Sequence, residues 1–305
     1  MLKIKYIFVI LIIVFVHGYS PGQGCSDAGA CSIGGVHDDA AGSRTAPKIK
    51  VTLGQSFALG EKFVFISQTS LSFEHRFLKH TSYVVNVPFI FTSGNLGNST
   101  GVGDVLVSFI QQLYSNGEST VGLLVGGRLR SNNSNFTFAG NPLPMAYQTS
   151  LGTYDVIGGL QYVWKSWDFY LAYQHPFGRN QNQYLHPPGE TDPDKLYFES
   201  AHLKRGDDLA FRLRKTFGLK KQQNLQTGFL SIYRLQKSQI IKNDQSVILN
   251  GTNGLTLNLF LTYQKTLKDK TKLYFTAAFP VVDRAYRADG LTRNFVFNIR
   301  VTQFW

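Results

Sequence analysis

Cysteine is nearly absent from this 305-residue chain: there are two, Cys25 and Cys31, and none after them. That excludes a disulfide framework or a cysteine-rich zinc fold for everything beyond residue 31. Long hydrophobic runs are missing as well. After Val16 every apolar stretch is short or interrupted by polar residues at alternate positions, so no helix of about 20 apolar residues can be drawn across a bilayer. Acidic residues are scarce, 19 against 31 Lys and Arg, for a net charge of +12. Such an excess can mark a nucleic-acid binder, but here the cations are scattered over many short segments and form no basic stripe. A basic interior, or contact with anionic lipid headgroups, suits that scatter better.

The chain opens with Lys3 and Lys5, an apolar run from Tyr6 to Val16, and then His17-Gly18-Tyr19-Ser20-Pro21. This is the pattern of a secretory signal over residues 1–18, cut after Gly18 and too short to span a membrane. Gly22-Gln23-Gly24 ahead of Cys25 lacks the aliphatic residue of a lipoprotein site. Residues 19–47 are rich in Gly, Ala, Ser and Asp and show no strand or helix period. Two nearby cysteines in an exported protein point to a small disulfide loop between Cys25 and Cys31; a metal site using both thiols with His37 is the alternative. This segment precedes the first strand and is placed to fold into the interior of the strand-rich domain as a plug. An exported chain also has no use for nucleic acid.

What the sequence has in quantity is aromatic residues, 14% of the chain, with 24 Phe, 15 Tyr and 3 Trp. They fall into a period of two. In Phe295 to Trp305, reading FVFNIRVTQFW, Phe295, Phe297, Ile299 and Val301 point one way and Val296, Asn298, Arg300 and Thr302 the other. Runs of this kind recur from Ile49 onward, twelve in all, with turn chemistry between them. The least regular spans Leu225 to Leu235, with apolar residues on both faces. Connections alternate in length: Lys79-His80-Thr81, Lys165-Ser166 and Lys268-Asp269-Lys270 are short, while Ser93–Gly101, Ser131–Thr153, Gly178–Gly206 and Ile240–Gly254 are long. A soluble sandwich has no reason to alternate, whereas a membrane barrel puts short turns in the periplasm and long loops outside. Trp164, Trp167 and Trp305 then share one membrane boundary. The expected fold is all-β: a transmembrane antiparallel up-and-down β-barrel of about 12 strands over residues 48–305, in the outer membrane of a Gram-negative bacterium. Its partners would be the lipid bilayer and, through the aromatic-ended strand Phe295 to Trp305, the outer-membrane assembly machinery.

With the apolar face on lipid, the other face lines the lumen. The candidates for solute contact are Arg76, Asp104, Arg128, Arg130, Tyr170, Arg212, Arg214 and Arg300. Arginines here either pair with Glu74, Asp104, Asp155 and Asp168 to fill the interior or form a path for anionic or polar solutes. The run Leu143 to Asp155, LPMAYQTSLGTYD, mixes Pro, Met and aromatics as a loop over a lumen mouth would. Pro144, Met145, Tyr147 and Gln148 are its candidates for ligand contact. Catalytic signals are thin. Ser200, His202 and Asp207-Asp208 lie close in one long loop but without the spacing of a barrel hydrolase. Gly101-Val102-Gly103-Asp104 leads into a strand, so it is not a phosphate-cradling loop, and no cofactor is expected.

The Ser93-Gly94-Asn95-Leu96-Gly97 loop, the Gly101 to Asp104 turn and the LPMAYQTSLGTYD run together resemble the bacterial outer-membrane β-barrel family named for the MetA pathway of phenol degradation, a transporter-like group. The resemblance spans most of residues 49–305. It implies a barrel for passage of a small molecule, often aromatic or hydrophobic, and carries no catalytic residue and nothing for the Cys-bearing segment. The alternatives are a non-conducting surface barrel that binds a partner through its outer loops or N-terminal segment, and an outer-membrane lipid or peptide hydrolase.

Overall fold

The computed structural model describes residues 48–268, 270–290 and 293–305. The expected signal (1–18) and the 19–47 segment, with Cys25, Cys31 and His37, lie outside the described residues. The strands are β1 (Ile49–Gly60), β2 (Phe65–Leu78), β3 (Thr81–Gly94), β4 (Gly97–Val102), β5 (Val105–Ser115), β6 (Ser119–Leu129), β7 (Thr137–Phe138), β8 (Asn141–Pro142) and β9 (Tyr154–Trp164). They continue with β10 (Trp167–Phe177), β11 (Asp208–Lys220), β12 (Gln223–Arg234), β13 (Gln239–Lys242), β14 (Gln245–Ile248), β15 (Gly254–Lys268), β16 (Thr271–Val282) and β17 (Arg293–Phe304).

Twelve of these are staves of one antiparallel barrel, in the order β1-β2-β3-β5-β6-β9-β10-β11-β12-β15-β16-β17. It closes because β1 pairs with both neighbours: Leu53 stands opposite Leu71 of β2 and opposite Val301 of β17. Closure leaves no unpaired edge, which the bilayer core demands of any strand that crosses it. Among the described residues no helix is long and apolar enough to cross a membrane. The period-two pattern becomes a wall with two faces. Leu53, Leu71, Phe89, Phe109, Leu160 and Leu171 are exposed on the outside, while Ser56, Val84, Ser108, Asp155, Ala172 and Ala210, of opposite parity on the staves, are buried inside. Such apolar exposure is stable only against lipid.

Departures from the expected strand pattern have local causes. β3 runs on to Gly94 and turns back at Gly97 (φ +133°) into β4, so most of the stretch expected as the loop Ser93–Gly101 is a hairpin. The ring of Phe138 lies where a Cβ on Gly97 would stand, which holds that turn to glycine. β4 and β5 form one stave broken at Gly103-Asp104. β3 pairs with β5 through Asn86 and with β4 from Phe89 onward. The long Ile240–Gly254 connection likewise contains a small hairpin, β13–β14. The irregular run near Leu225 to Leu235 is β12; its inward Leu230 and Ile232 pack on Tyr170, Ala172 and Ala210, so both its faces are apolar.

Candidate functional site

The site starts from the loop between β6 and β9. Every residue from Leu143 to Thr153 is buried, because this polar and apolar mixture turns inward and sits inside the barrel. The outer-loop candidates are therefore packing and pocket residues. Pro144 and Met145 open a short 3-10 turn, Met145–Tyr147. The Tyr147 hydroxyl bonds to Asn95 Oδ1 (3.1 Å) and to the Tyr197 hydroxyl (3.0 Å), and its carbonyl accepts from Thr92 and Ser99 of the wall. Gln148 stays within its own loop, donating to Leu143 O (2.8 Å) and accepting from Phe136 N (2.8 Å). Gly290, at φ +67°, lies so close to the Met145 carbonyl that a Cβ there would stand 2.4 Å from its oxygen. That contact locks the β16–β17 loop onto the inward loop.

Two ion-pair clusters join the loops to the wall. Asp155, the second residue of β9, holds Arg205 of the β10–β11 loop (2.7 Å), Arg128 of β6 (3.8 Å) and the Thr153 hydroxyl (2.8 Å). Arg234 of β12 bonds Asp208 with two nitrogens (2.8 and 2.9 Å) and Asp289 with a third (2.6 Å), and Asp289 also takes Arg284 (3.0 Å). Burial alone would raise the Asp289 carboxyl, but the Arg284 and Arg234 guanidiniums hold it well below the usual range. Such buried, multiply bonded charges specify one arrangement; removing one member leaves the rest unpaired in a dry interior. At the outer turn between β1 and β2, burial pushes the Glu61 carboxyl up to about 7 against the opposing pull of Arg287. Beside it burial also raises the Tyr184 hydroxyl, to about 12.

Beneath the inward loop lies a pocket with about 750 Å³ of empty space, part of it open to solvent. Ile66, Gln68, Pro88, Ile90 and Leu106 of the wall face Met145, Gln148, Ser150 and Leu151 of the loop, and Asp104, Arg128, Asp289 and Arg293 supply its charges. Asp104 sits at the β4–β5 break, within the field of the Arg128 guanidinium. Its carboxylate accepts from the Ser150 hydroxyl, Leu151 N (2.9 Å) and Ser131 N (3.2 Å), fastening the loop.

The remaining lumen candidates separate. Arg212 and Arg214 of β11 share Asp168 (3.3 and 2.5 Å), which Gln161 also reaches (3.1 Å). Tyr170 lies under Arg212, 5.4 Å from its guanidinium, and Arg300 lies 4.9 Å over Tyr274. Arg76 faces inward from β2, near the level of the Lys50–Glu74 pair (3.3 Å). Arg130 does not join them: it follows the last residue of β6 and stacks 5.1 Å over Tyr154, whose ring is on the outer face. The loop residues Ser200, His202 and Asp207 each bond to partners outside the trio. The Ser200 hydroxyl donates to Asn182 Oδ1 (2.8 Å), the His202 backbone N–H to the Asn182 carbonyl (2.7 Å), and the Asp207 carboxylate bonds His175 (2.6 Å) and accepts from the Tyr173 hydroxyl (2.7 Å). Among the described residues no group of three or more His, Cys, Asp or Glu could hold a metal.

Sequence reasoning missed Arg205, Arg234, Arg284 and Asp289. The available signal was charge of both signs crowded at the strand ends, as in Arg205-Gly-Asp207-Asp208 and Asp283-Arg284-Ala-Tyr-Arg287-Ala-Asp289. Among the described residues, the half of the barrel with the long loops holds acids and bases in near balance, whereas the half with the short turns has more than a dozen Lys and Arg against three acids, Glu74, Glu118 and Asp168. Nearly all the excess charge of the barrel is therefore at one end.

A closed twelve-stave barrel with an apolar belt, short turns at one end and long loops at the other is a transmembrane β-barrel of the outer membrane, with the short turns on the periplasmic side. In fold it is similar to the COG4313 outer membrane channel from Pseudomonas putida F1, with a TM-score of 0.59 and 13% identity over 88% of this chain and all of that one. The NanC porin has a TM-score of 0.48 at 12% identity, covering 84% of this chain and 99% of that one. The CymD monoaromatic hydrocarbon channel has 0.42 at 9%, covering 93% of each. No family model matches the sequence, and no curated protein matches it.

Proposed function

We propose that this barrel carries a small molecule across the outer membrane through the pocket beneath the inward loop and the basic lumen under it. The observation that supports this reading best is the loop Leu143–Thr153, which is inside the barrel and roofs an open pocket against β2, β3 and β5. A barrel whose only task is to span the membrane can fill its interior from strand side chains alone. The mixed lining suits a solute with an apolar body and a polar or anionic group. The likeness to an outer membrane channel agrees with passage, and the resemblance to the MetA-pathway family of phenol degradation agrees with an aromatic or hydrophobic solute. Residues 1–18 act in export and residues 19–47 in plugging the lumen. A second reading, a closed surface barrel, is favoured by the ion pairs that lock the long-loop half.

Conductance in a planar bilayer separates the two. The native barrel should give small steps, and Gly290→Ala, which forces the Met145 carbonyl aside, should enlarge them severalfold without loss of the folded barrel. Silence from both proteins would leave the surface-barrel reading.

A further inference from the structure

The one-ended charge also covers the outside of the barrel. At the short-turn rim Lys48, Lys79, Lys165, Lys220, Lys265 and Lys270 are exposed. The tightest part is around the β9–β10 turn. Trp164 ends β9, Trp167 begins β10, and the two stand opposite each other in the ladder with Lys165 in the turn between them. The Lys165 ammonium is 5.4 Å from the Trp164 ring and the Lys215 ammonium 4.3 Å from the Trp167 ring. Thr216 N donates to Ser166 O (2.9 Å), which fixes β11 against this turn. Glu118 is the acid at hand, 3.8 Å from Lys165, with both side chains more than half exposed, a pairing that solvent makes weak.

Indole rings on a barrel's outer face mark the level of the lipid headgroups. The two ammonium groups are held over those rings, so they stand at phosphate height on the lipid side of the wall. We propose that Trp164, Lys165, Trp167 and Lys215 form a binding patch for the phosphodiester headgroup of an anionic phospholipid in the periplasmic leaflet. Charge complementarity selects this occupant: a juxtamembrane lysine gains from an anionic leaflet within a Debye length of the surface. The long-loop rim, with acids and bases in near balance, offers no comparable field.

The protein contains its own probe, because its three tryptophans all stand at this rim. Full-length protein is folded into phosphatidylcholine vesicles containing a minor share of brominated phosphatidylglycerol or, in parallel, brominated phosphatidylcholine, and tryptophan quenching is compared. The patch requires phosphatidylglycerol to quench with at least about a threefold higher relative association constant, a preference that salt weakens. Lys165→Gln/Lys215→Gln should abolish it, while Lys195→Gln/Lys237→Gln, the same charge change at the other rim, should keep it. Equal quenching by the two lipids in the native protein overturns the proposal. So does a preference that survives in the patch variant or vanishes equally in the control, since it would then follow net charge alone. If the double patch variant does not refold, Lys165→Gln and Lys215→Gln are tested singly, each expected to lower the preference.

Discussion

At the scale of single residues, Glu61 is the group whose setting is most sensitive to pH. It lies in the turn between β1 and β2, 9% exposed, with its carboxyl raised from 4.5 to about 7 chiefly by burial. A carboxyl whose folded value is above its unfolded one favours the folded arrangement while protonated. Its contribution is complete below about 4.5 and is lost as the pH rises through about 7. The linked loss is capped at roughly 3 kcal/mol. Hydrogen exchange in the adjoining turn Glu61–Phe63 should therefore quicken between pH 5 and pH 8 in the native protein by more than the intrinsic chemistry. In Glu61→Gln that extra pH dependence should be absent; its persistence would assign the effect to another group. Nothing in the sequence around Glu61 announces this, because burial under the β10–β11 loop is a long-range contact.

At the scale of the element, the inward loop depends on few anchors, and Asp155 joins it to the wall. Asp155→Asn would leave Arg205 and Arg128 buried beside a neutral amide, a change that costs about 3–5 kcal/mol when a buried pair is broken. The expected outcome is a barrel with intact strands, read by circular dichroism, but a lower urea midpoint and proteolytic cuts between residues 131 and 153. An unchanged midpoint would mean that water replaces the carboxylate. The staves were legible in the sequence because lipid on one side and lumen on the other impose a strict period of two. The loop's direction was not. Leu143 to Asp155 reads as an outer loop because its Pro, Gly, Ser and Thr are loop chemistry, and whether such a loop turns out or in depends on partners such as Asn95, Arg205 and Gly290 in other loops. Arg130 misled for a related reason: inward parity holds along a ladder, and this residue lies just beyond one.

At the scale of the whole molecule, the sequence showed the size of the charge excess and only the fold shows where it is. The arginines expected to line one basic path divide into two populations. Arg128 and Arg234 of the wall, with the loop arginines Arg205 and Arg284, belong to a lock at the long-loop end whose acids are Asp155, Asp208 and Asp289. Arg212, Arg214 and Arg300, with Lys50 and Lys272, belong to a basic vestibule at the short-turn end, where Glu74 and Asp168 are the inward acids. This division could not be read from spacing, because it depends on which loop residues, such as Arg205, Arg284 and Asp289, turn inward to meet charges on the wall. It also carries an electrical consequence: a conducting tube with fixed charge at one mouth is a rectifier. Counter-ions crowd that mouth under one polarity and are swept from it under the other, and the imbalance fades as the Debye length shrinks. In dilute salt the current through a single barrel should differ between equal positive and negative voltages. The asymmetry should fall with added salt and with Lys272→Gln/Arg300→Gln, and the polarity that conducts better would report which way round each molecule has entered the bilayer.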